Sequence, residues 1–188
     1  SPNGKYNKLL ARKLKKITNS KFVICLNSGT SALFISLKSI GIEKNDEVLL
    51  PSLTFVSTAN AVLYNNAIPH FVDTSEQTLA IDPILLEKYL KKISIIRNGK
   101  LLNKKTKRHI KCLICVHVFG NSAEITKIRN ICKKYNLLLI EDAAEALNSY
   151  YKGKHLGTYG KVGILSFNGN KIITSGSGGA ILTNDKKI

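Results

Sequence analysis

The sequence has no apolar run long enough to cross a bilayer, and its N-terminus lacks the layout of a signal peptide. These absences predict a cytoplasmic protein with no membrane partner. The chain has 188 residues, of which 44% are hydrophobic and 22% charged, a composition that is ordinary for a globular protein. Because this length can bury a sizeable core, we expect one large domain.

Cysteines are few, and they do not form the pattern of a secreted disulfide framework. Cys25, Cys112, Cys115 and Cys132 all lie in apolar stretches. Cys112 and Cys115 have the spacing of redox and zinc motifs, but both fall within one predicted strand, where residues three apart point to opposite faces. No histidine stands at ligand spacing from them, so we interpret both as core residues and predict no metal site.

Acidic residues are also scarce, with 12 Asp+Glu against 29 Lys+Arg and a net charge of +17. Such an excess raises the hypothesis of a nucleic-acid partner. However, only four of the basic residues are arginines, the lysines are spread along the chain, and no aromatic-basic recognition motif accompanies them. We therefore predict no nucleic-acid partner, whereas a basic surface that favours a phosphorylated small substrate stays compatible with the charge.

Strand and helix patterns alternate along the chain after a short lead-in. Predicted strands cover 21–26, 46–50, 68–72, 110–118, 137–140, 162–165 and 180–183, and predicted helices lie within 1–20, from 32 onward, and over 54–65, 82–90 and 123–135. The polar, basic stretch 92–109 is interpreted as a surface insertion or small hairpin. The alternation predicts an α/β fold with a mostly parallel sheet, whose ligands bind at the carboxyl ends of the strands.

Two strand ends carry candidate binding groups. The turn from Asn27 to Ser31 joins a strand to a helix start, where free N–H groups favour an anion such as phosphate. The alternative is simple N-capping by Ser28 or Thr30. The acidic run from Glu141 to Glu145 follows a buried strand, and a carboxylate there could hold a protonated ring nitrogen, a metal or a substrate hydroxyl. Its alternative is the acidic first turn of a helix.

Lys171 is the candidate nucleophile. It follows an apolar strand and precedes a glycine-rich loop, and an amine at the end of a buried strand can lose its proton and attack a carbonyl. The alternative is a solvated loop lysine. His117, near another strand end, is interpreted as a packed structural residue rather than a catalytic one. A lysine, a carboxylate, an anion site and a flat aromatic such as Phe55 together meet the requirements of pyridoxal phosphate.

The chain resembles the sugar aminotransferases of the DegT/DnrJ/EryC1/StrS type. The matching stretches, in family order, are NSGTSAL (27–33), DEVLLPSLTFVSTANAVLY (46–64), HFVDTSEQTLAIDP (70–83), VHVFGN (116–121), IEDAAEALNSYYKGKHLGTYG (140–160) and SFNGNKIIT (166–174). The resemblance implies a three-layer α/β/α sandwich, the large cofactor-binding domain of a type I aminotransferase. Family members are about twice as long, so residues 1–188 would lack the extreme N-terminus and the C-terminal small domain.

The resemblance also implies roles for single residues. Lys171 would form the Schiff base with pyridoxal phosphate, Asp142 would pair with the pyridine nitrogen, and Glu145 would lie near the phenolic oxygen. The remaining cofactor contacts would be Phe55 on the ring, Gly29, Thr30, Ser31 and Ser166 at the phosphate, and Asn168 close by. Relatives are homodimers with shared active sites, so we expect a homodimer in the full-length protein.

The implied reaction moves an amino group from an amino acid, with glutamate as the expected donor, to the C4 keto group of a nucleotide-linked 4-keto-6-deoxy sugar. The motifs look most like the branch that uses UDP-N-acetylhexosamine derivatives for bacillosamine- and legionaminic-type sugars. Two alternatives stay open. A regulator or sugar dehydratase could keep the fold and cofactor, although the dehydratase branch usually has histidine where this chain has Lys171. An inactive basic binding fragment is the other.

Overall fold

The computed structural model describes residues 4–188, so residues 1–3 of the predicted lead-in lie outside the described part. The helices are α1 (Lys5–Thr18), α2 (Gly29–Ser39), α3 (Val56–Tyr64), α4 (Pro83–Ile93) and α5 (Ile125–Lys134). The strands are β1 (Phe22–Leu26), β2 (Glu47–Pro51), β3 (Ile68–Val72), β4 (Ser94–Arg97), β5 (Lys100–Asn103), β6 (Ile110–Val116), β7 (Leu138–Asp142), β8 (Tyr150–Tyr151), β9 (Lys154–His155), β10 (Val162–Ser166) and β11 (Gly179–Thr183). None of the helices within the described range is long and apolar enough to span a membrane.

The central sheet has seven strands in the order β1-β11-β10-β7-β6-β2-β3. β11 is antiparallel to both of its neighbours, and the pairs from β10 across to β3 are parallel. The predicted α/β fold with a mostly parallel sheet is therefore confirmed. Because parallel strands end at the same edge, the segments that follow β2, β6, β7 and β10 meet there.

Helices cover both faces of this sheet. On one face, α2 and α3 pack through Leu33, Leu37 and Val62 against strand residues that include Ile114 and Ile164. The opposite face carries α4 and α5, with Leu86 and Ile128 among the buried residues, and α1 packs beside β10 and β11 through Leu14. Three layers result, with an apolar core on each side of the sheet.

Cys112 and Cys115 lie on opposite faces of β6, in the two different cores, as predicted. Burial raises the pKa of both thiols well above the ordinary value. All four cysteines are free. The two-residue spacing is therefore a consequence of strand packing, and the two thiols do not face a common site.

Residues 94–103 form a β4–β5 hairpin, and the segment around it is fixed at the amino end of β2. Glu47 is only 2% exposed and accepts hydrogen bonds from Asn103 Nδ2 (3.0 Å) and Thr106 Oγ1 (2.5 Å). Glu47 Oε2, the oxygen that accepts from Asn103, also lies 2.7 Å from His70 Nδ1. Burial would raise the pKa of Glu47, but the hydrogen bonds from His70, Thr106 and Asn103 lower it to about 2.

Two element boundaries differ from the sequence prediction for local reasons. β6 ends at Val116 rather than at 118, because a short 3₁₀ turn over Val118–Gly120 follows and Phe119 has a φ of 53°. β7 continues to Asp142 rather than ending at 140, because Asp142 pairs with Val116 on one side and with Ile164 on the other. Asp142 is thus part of the sheet itself.

Candidate functional site

A cavity of about 390 Å³ opens at the carboxyl edge of the sheet, beyond β6, β7 and β10 and at the amino ends of α2 and α3. Its lining includes every predicted site residue except Ser31, namely Gly29, Thr30, Phe55, Asp142, Glu145, Ser166, Asn168 and Lys171. These residues come from four separate segments of the chain, and the parallel strands bring them together.

The amino end of α2 is both capped and open to the cavity. Ser28 Oγ accepts a hydrogen bond from the Ser31 amide at 3.0 Å and lies 3.0 Å from the Ser31 hydroxyl. Ser28 is therefore the N-cap of α2. Ser31 hydrogen-bonds to Ser28 and does not line the cavity. A Cβ on Gly29 would lie 2.9 Å from Ser166 Cβ, so only glycine leaves this space free for an anion beside the first-turn amides.

Asp142 is 5% exposed and points to the cavity from the end of β7. Its Oδ2 accepts a hydrogen bond from Thr58 Oγ1 at 3.0 Å, and its Oδ1 accepts one from the Ala144 amide at 3.2 Å. Burial raises the pKa of Asp142, although these hydrogen bonds and the charge of Lys171 oppose the rise. The alternative of an acidic first helical turn is wrong, because residues 143–149 form turns.

Within residues 4–188, the Asp142 carboxylate belongs to no ion pair. A buried carboxylate that accepts hydrogen bonds but faces no direct cation suits a cationic group bound in the cavity. The donor set therefore fits a protonated ring nitrogen better than it fits a metal, since no cluster of three metal-ligating side chains lies in the described part of the chain.

Lys171 reaches the cavity from the loop after β10. Its Nζ lies 3.0 Å from Glu145 Oε1 and 5.9 Å from the centroid of the Phe55 ring, and its side chain is 12% exposed. This burial and pairing argue against the alternative of a solvated loop lysine. The Phe55 ring itself is 69% exposed and has room for a flat group beside it.

Glu145 is fixed from two sides. Lys171 contacts Oε1, and the backbone amide of Phe119 donates a hydrogen bond to Oε2 at 2.9 Å. Burial alone would raise the pKa of Glu145, but the Lys171 hydrogen bond, the Phe119 amide and the Lys171 charge outweigh it, so the pKa lies below its ordinary value. The left-handed backbone of Phe119 aims this amide, and sequence reasoning missed it, because no residue pattern marks a phenylalanine with positive φ.

His117 also lines the cavity, and its hydrogen bonds explain its burial. Its Nε2 lies 3.0 Å from Glu141 Oε2, and its Nδ1 accepts the Ala123 amide at 3.3 Å, which places the proton on Nε2. Glu141 also accepts the amides of Gly157, Tyr159 and Gly160. His117 is thus a packed, hydrogen-bonded residue, and its partner Glu141 organises the 157–160 turn.

The fold is that of the type I pyridoxal phosphate-dependent aminotransferases. More narrowly, the chain belongs to the DegT/DnrJ/EryC1/StrS aminotransferase family, which it matches over residues 1–188. The resemblance inferred from the motifs is therefore confirmed.

Three similar proteins illustrate the relationship. EpsN of Bacillus subtilis (strain 168), provisionally named a pyridoxal phosphate-dependent aminotransferase, is 38% identical over 186 residues, which are 99% of this chain and 45% of EpsN. GDP-perosamine synthase of Escherichia coli O157:H7 is 36% identical over 100% of this chain and 47% of its own length. The crystal structure of NtdA from Bacillus subtilis with bound cofactor PMP is 31% identical, has a TM-score of 0.82 and covers 98% of this chain and 38% of that one.

The chain thus spans about half the length of the curated relatives it matches, or 45% and 47% of the two named above.

Proposed function

We propose that this chain is the cofactor-binding domain of a cytoplasmic, homodimeric aminotransferase that uses pyridoxal phosphate. The transferred amino group comes from an amino acid, expected to be glutamate, and goes to the C4 keto group of a nucleotide-linked 4-keto-6-deoxy sugar for cell-surface glycans. One observation carries the proposal: Lys171 and Asp142 line the same cavity as the open amino end of α2.

The residues fit the cofactor. The space beside Gly29, which a Cβ would fill, together with Thr30 and the Ser166 hydroxyl, suits the phosphate. Asp142 supplies a buried carboxylate for the ring nitrogen, and the exposed Phe55 ring supplies a stacking surface next to Lys171. When bound, pyridoxal phosphate supplies the electron sink that stabilises a carbanion next to nitrogen.

Each protein group then has a defined task. Asp142 keeps the proton on the ring nitrogen because a nearby carboxylate favours the charged form of that nitrogen. Lys171 Nζ, once its amine is free, would act as general base and acid and move a proton between the two carbon atoms bonded to the transferred nitrogen. Glu145 lies 3.0 Å from Lys171 Nζ and holds the amine in position between these transfers.

The sugar nucleotide is the finer part of the proposal. The motifs favour a UDP-N-acetylhexosamine derivative, whereas one relative is named for a GDP-linked sugar. Amination assays with the UDP-linked and GDP-linked 4-keto-6-deoxy sugars, with glutamate as donor, decide between them. A product without new nitrogen would favour the dehydratase alternative, and no turnover with either sugar would contradict the substrate class.

The cofactor proposal is tested first, on the full-length protein that contains this chain. Addition of pyridoxal phosphate should produce the absorbance band of a Schiff base, and borohydride reduction should remove this band and leave the cofactor covalently attached to the protein. Lys171→Ala should abolish the band, while Lys133→Ala, on the exposed side of α5, should retain it. If the wild type shows no band that depends on Lys171, the aminotransferase proposal fails and the inactive binding fragment is favoured.

A further inference from the structure

Thr58 is a buried hydroxyl in an otherwise apolar helix face. It lies on α3 with 0% exposure, and its neighbours Ala61 and Val62 are part of the core between α3 and the sheet. A β-branched polar residue is not favoured in a helix, and an apolar side chain would fill the same space without a polar atom to satisfy. Its hydroxyl therefore calls for a specific partner.

That partner is Asp142. Thr58 Oγ1 lies 3.0 Å from Asp142 Oδ2 and 2.9 Å from Thr54 Oγ1. An ionised carboxylate has no proton to donate, and a hydroxyl has only one. Thr58 therefore donates to Asp142 and accepts from Thr54, which lines the cavity next to Phe55. The three side chains form one directed relay from the cavity wall to the buried carboxylate.

The relay acts on a carboxylate with few other supports. The Ala144 amide is the second hydrogen-bond donor to Asp142, and Lys171 acts on it through its charge, as His117 does when it is protonated. Cys115 is a further titratable group on the neighbouring strand that interacts with Asp142. Because burial disfavours the ionised carboxylate, the Thr58 hydroxyl is the side-chain hydrogen bond that opposes this effect.

We propose that Thr58 is a positioning residue, which orients Asp142 and keeps it ionised for the ring nitrogen of the cofactor, with Thr54 as its support. This inference rests on the proposed function. It predicts a chemical effect on the cofactor in addition to any loss of packing, so the two can be separated. Without the hydroxyl, the carboxylate is a weaker partner for a cation, and the ring nitrogen loses its proton at lower pH.

The test uses the full-length protein and two substitutions at one site. Thr58→Val removes the hydroxyl but keeps the shape, and we expect about tenfold weaker binding of pyridoxal phosphate, which is the effect of one hydrogen bond to a charged group. The pH midpoint of the cofactor absorbance should move to lower pH. Thr58→Ser keeps the hydroxyl. It should restore the affinity to within about threefold of the wild type and return the pH midpoint to the wild-type value.

Two further variants keep the test decisive. Thr18→Val removes another buried hydroxyl, which donates to the Leu14 carbonyl on α1, so it reports the general cost of such a loss. It should lower the denaturant midpoint without moving the cofactor midpoint. Thr54 lies at the cavity wall, and Thr54→Val should shift the cofactor midpoint to lower pH by a smaller amount than is expected for Thr58→Val. This variant keeps the test usable if Thr58→Val does not fold.

The outcomes separate this inference from the proposed function. A wild type without a Lys171-dependent band overturns both. A wild type with that band, together with a folded Thr58→Val protein whose affinity and pH midpoint are unchanged, overturns the role of Thr58 alone. Where Thr58→Val does not fold, an unchanged affinity and pH midpoint in Thr54→Val overturn it. If Thr58→Ser behaves as poorly as Thr58→Val, the residue acts through packing and the inference is wrong.

Discussion

Lys171 Nζ and Glu145 Oε1 lie 3.0 Å apart although the two residues belong to loops that follow different strands, β10 and β7. The Phe119 amide holds the other carboxylate oxygen of Glu145 at 2.9 Å. The candidate nucleophile is therefore held by a fixed carboxylate within the described chain, before any cofactor is considered. This pair links the lysine loop to the 3₁₀ turn after β6.

Removal of the Lys171 charge should raise the pKa of Glu145 in the cofactor-free protein. Lys171→Met takes away the hydrogen bond and the positive charge that, after the opposing effect of burial, lower this pKa. In the wild type, the stabilisation by the pair is complete above the unfolded pKa of Glu145 and is lost as pH falls through the folded pKa. Carbon-detected NMR titration of the carboxyl should show the rise, and Lys133→Met should leave the titration unchanged.

Gly29→Ala should block the proposed phosphate position. The new Cβ would lie 2.9 Å from Ser166 Cβ, so either the turn or Ser166 must move. We expect pyridoxal phosphate to bind at least about tenfold more weakly, since one misplaced charge-assisted contact costs that much. Gly169→Ala is the matched control, because nothing lies within 4 Å of its added Cβ. Equal affinities of the two variants would remove Gly29 from the site.

The mostly parallel α/β fold and much of the candidate site could be predicted from the sequence because each depends on local signals. The apolar strands end in short polar segments, and parallel strands bring Asp142, Gly29 and Lys171 to one edge whatever lies between them. Phe119 and Thr58 could not be predicted as site residues. The role of Phe119 depends on a backbone angle, and that of Thr58 depends on a contact with a residue 84 positions away.

Protonation of Glu47 should make the protein less stable in acid. Its pKa is lowered from 4.5 to about 2 by hydrogen bonds that outweigh burial, so its contribution is complete above about 4.5 and lost as pH falls toward 2. The shift corresponds to about 2 to 3 kcal/mol of unfolding free energy once partial screening is allowed for. Urea unfolding between pH 6 and pH 3 should show a smaller decline in Glu47→Gln than in the wild type, and an unchanged slope would contradict this role.

Glu76→Gln is the control for that experiment. Glu76 is exposed on the loop after β3 and takes no part in the contacts between Glu47, His70 and Asn103. Its substitution should reproduce the wild-type decline of stability with acid, so that any difference seen in Glu47→Gln belongs to the buried carboxylate.

Glu141→Gln should destabilise the protein although it changes almost no volume. The carboxylate accepts the amides of Gly157, Tyr159 and Gly160 and contacts His117, whereas a glutamine would turn an NH₂ group toward one of these donors. We expect a loss of about 2 to 4 kcal/mol in unfolding free energy, measured in urea at pH 7, together with loss of the downfield His117 ring N–H resonance. Glu43→Gln, on an exposed turn, should change neither, and a cost below about 1 kcal/mol for Glu141→Gln would show that the 157–160 turn does not depend on this carboxylate.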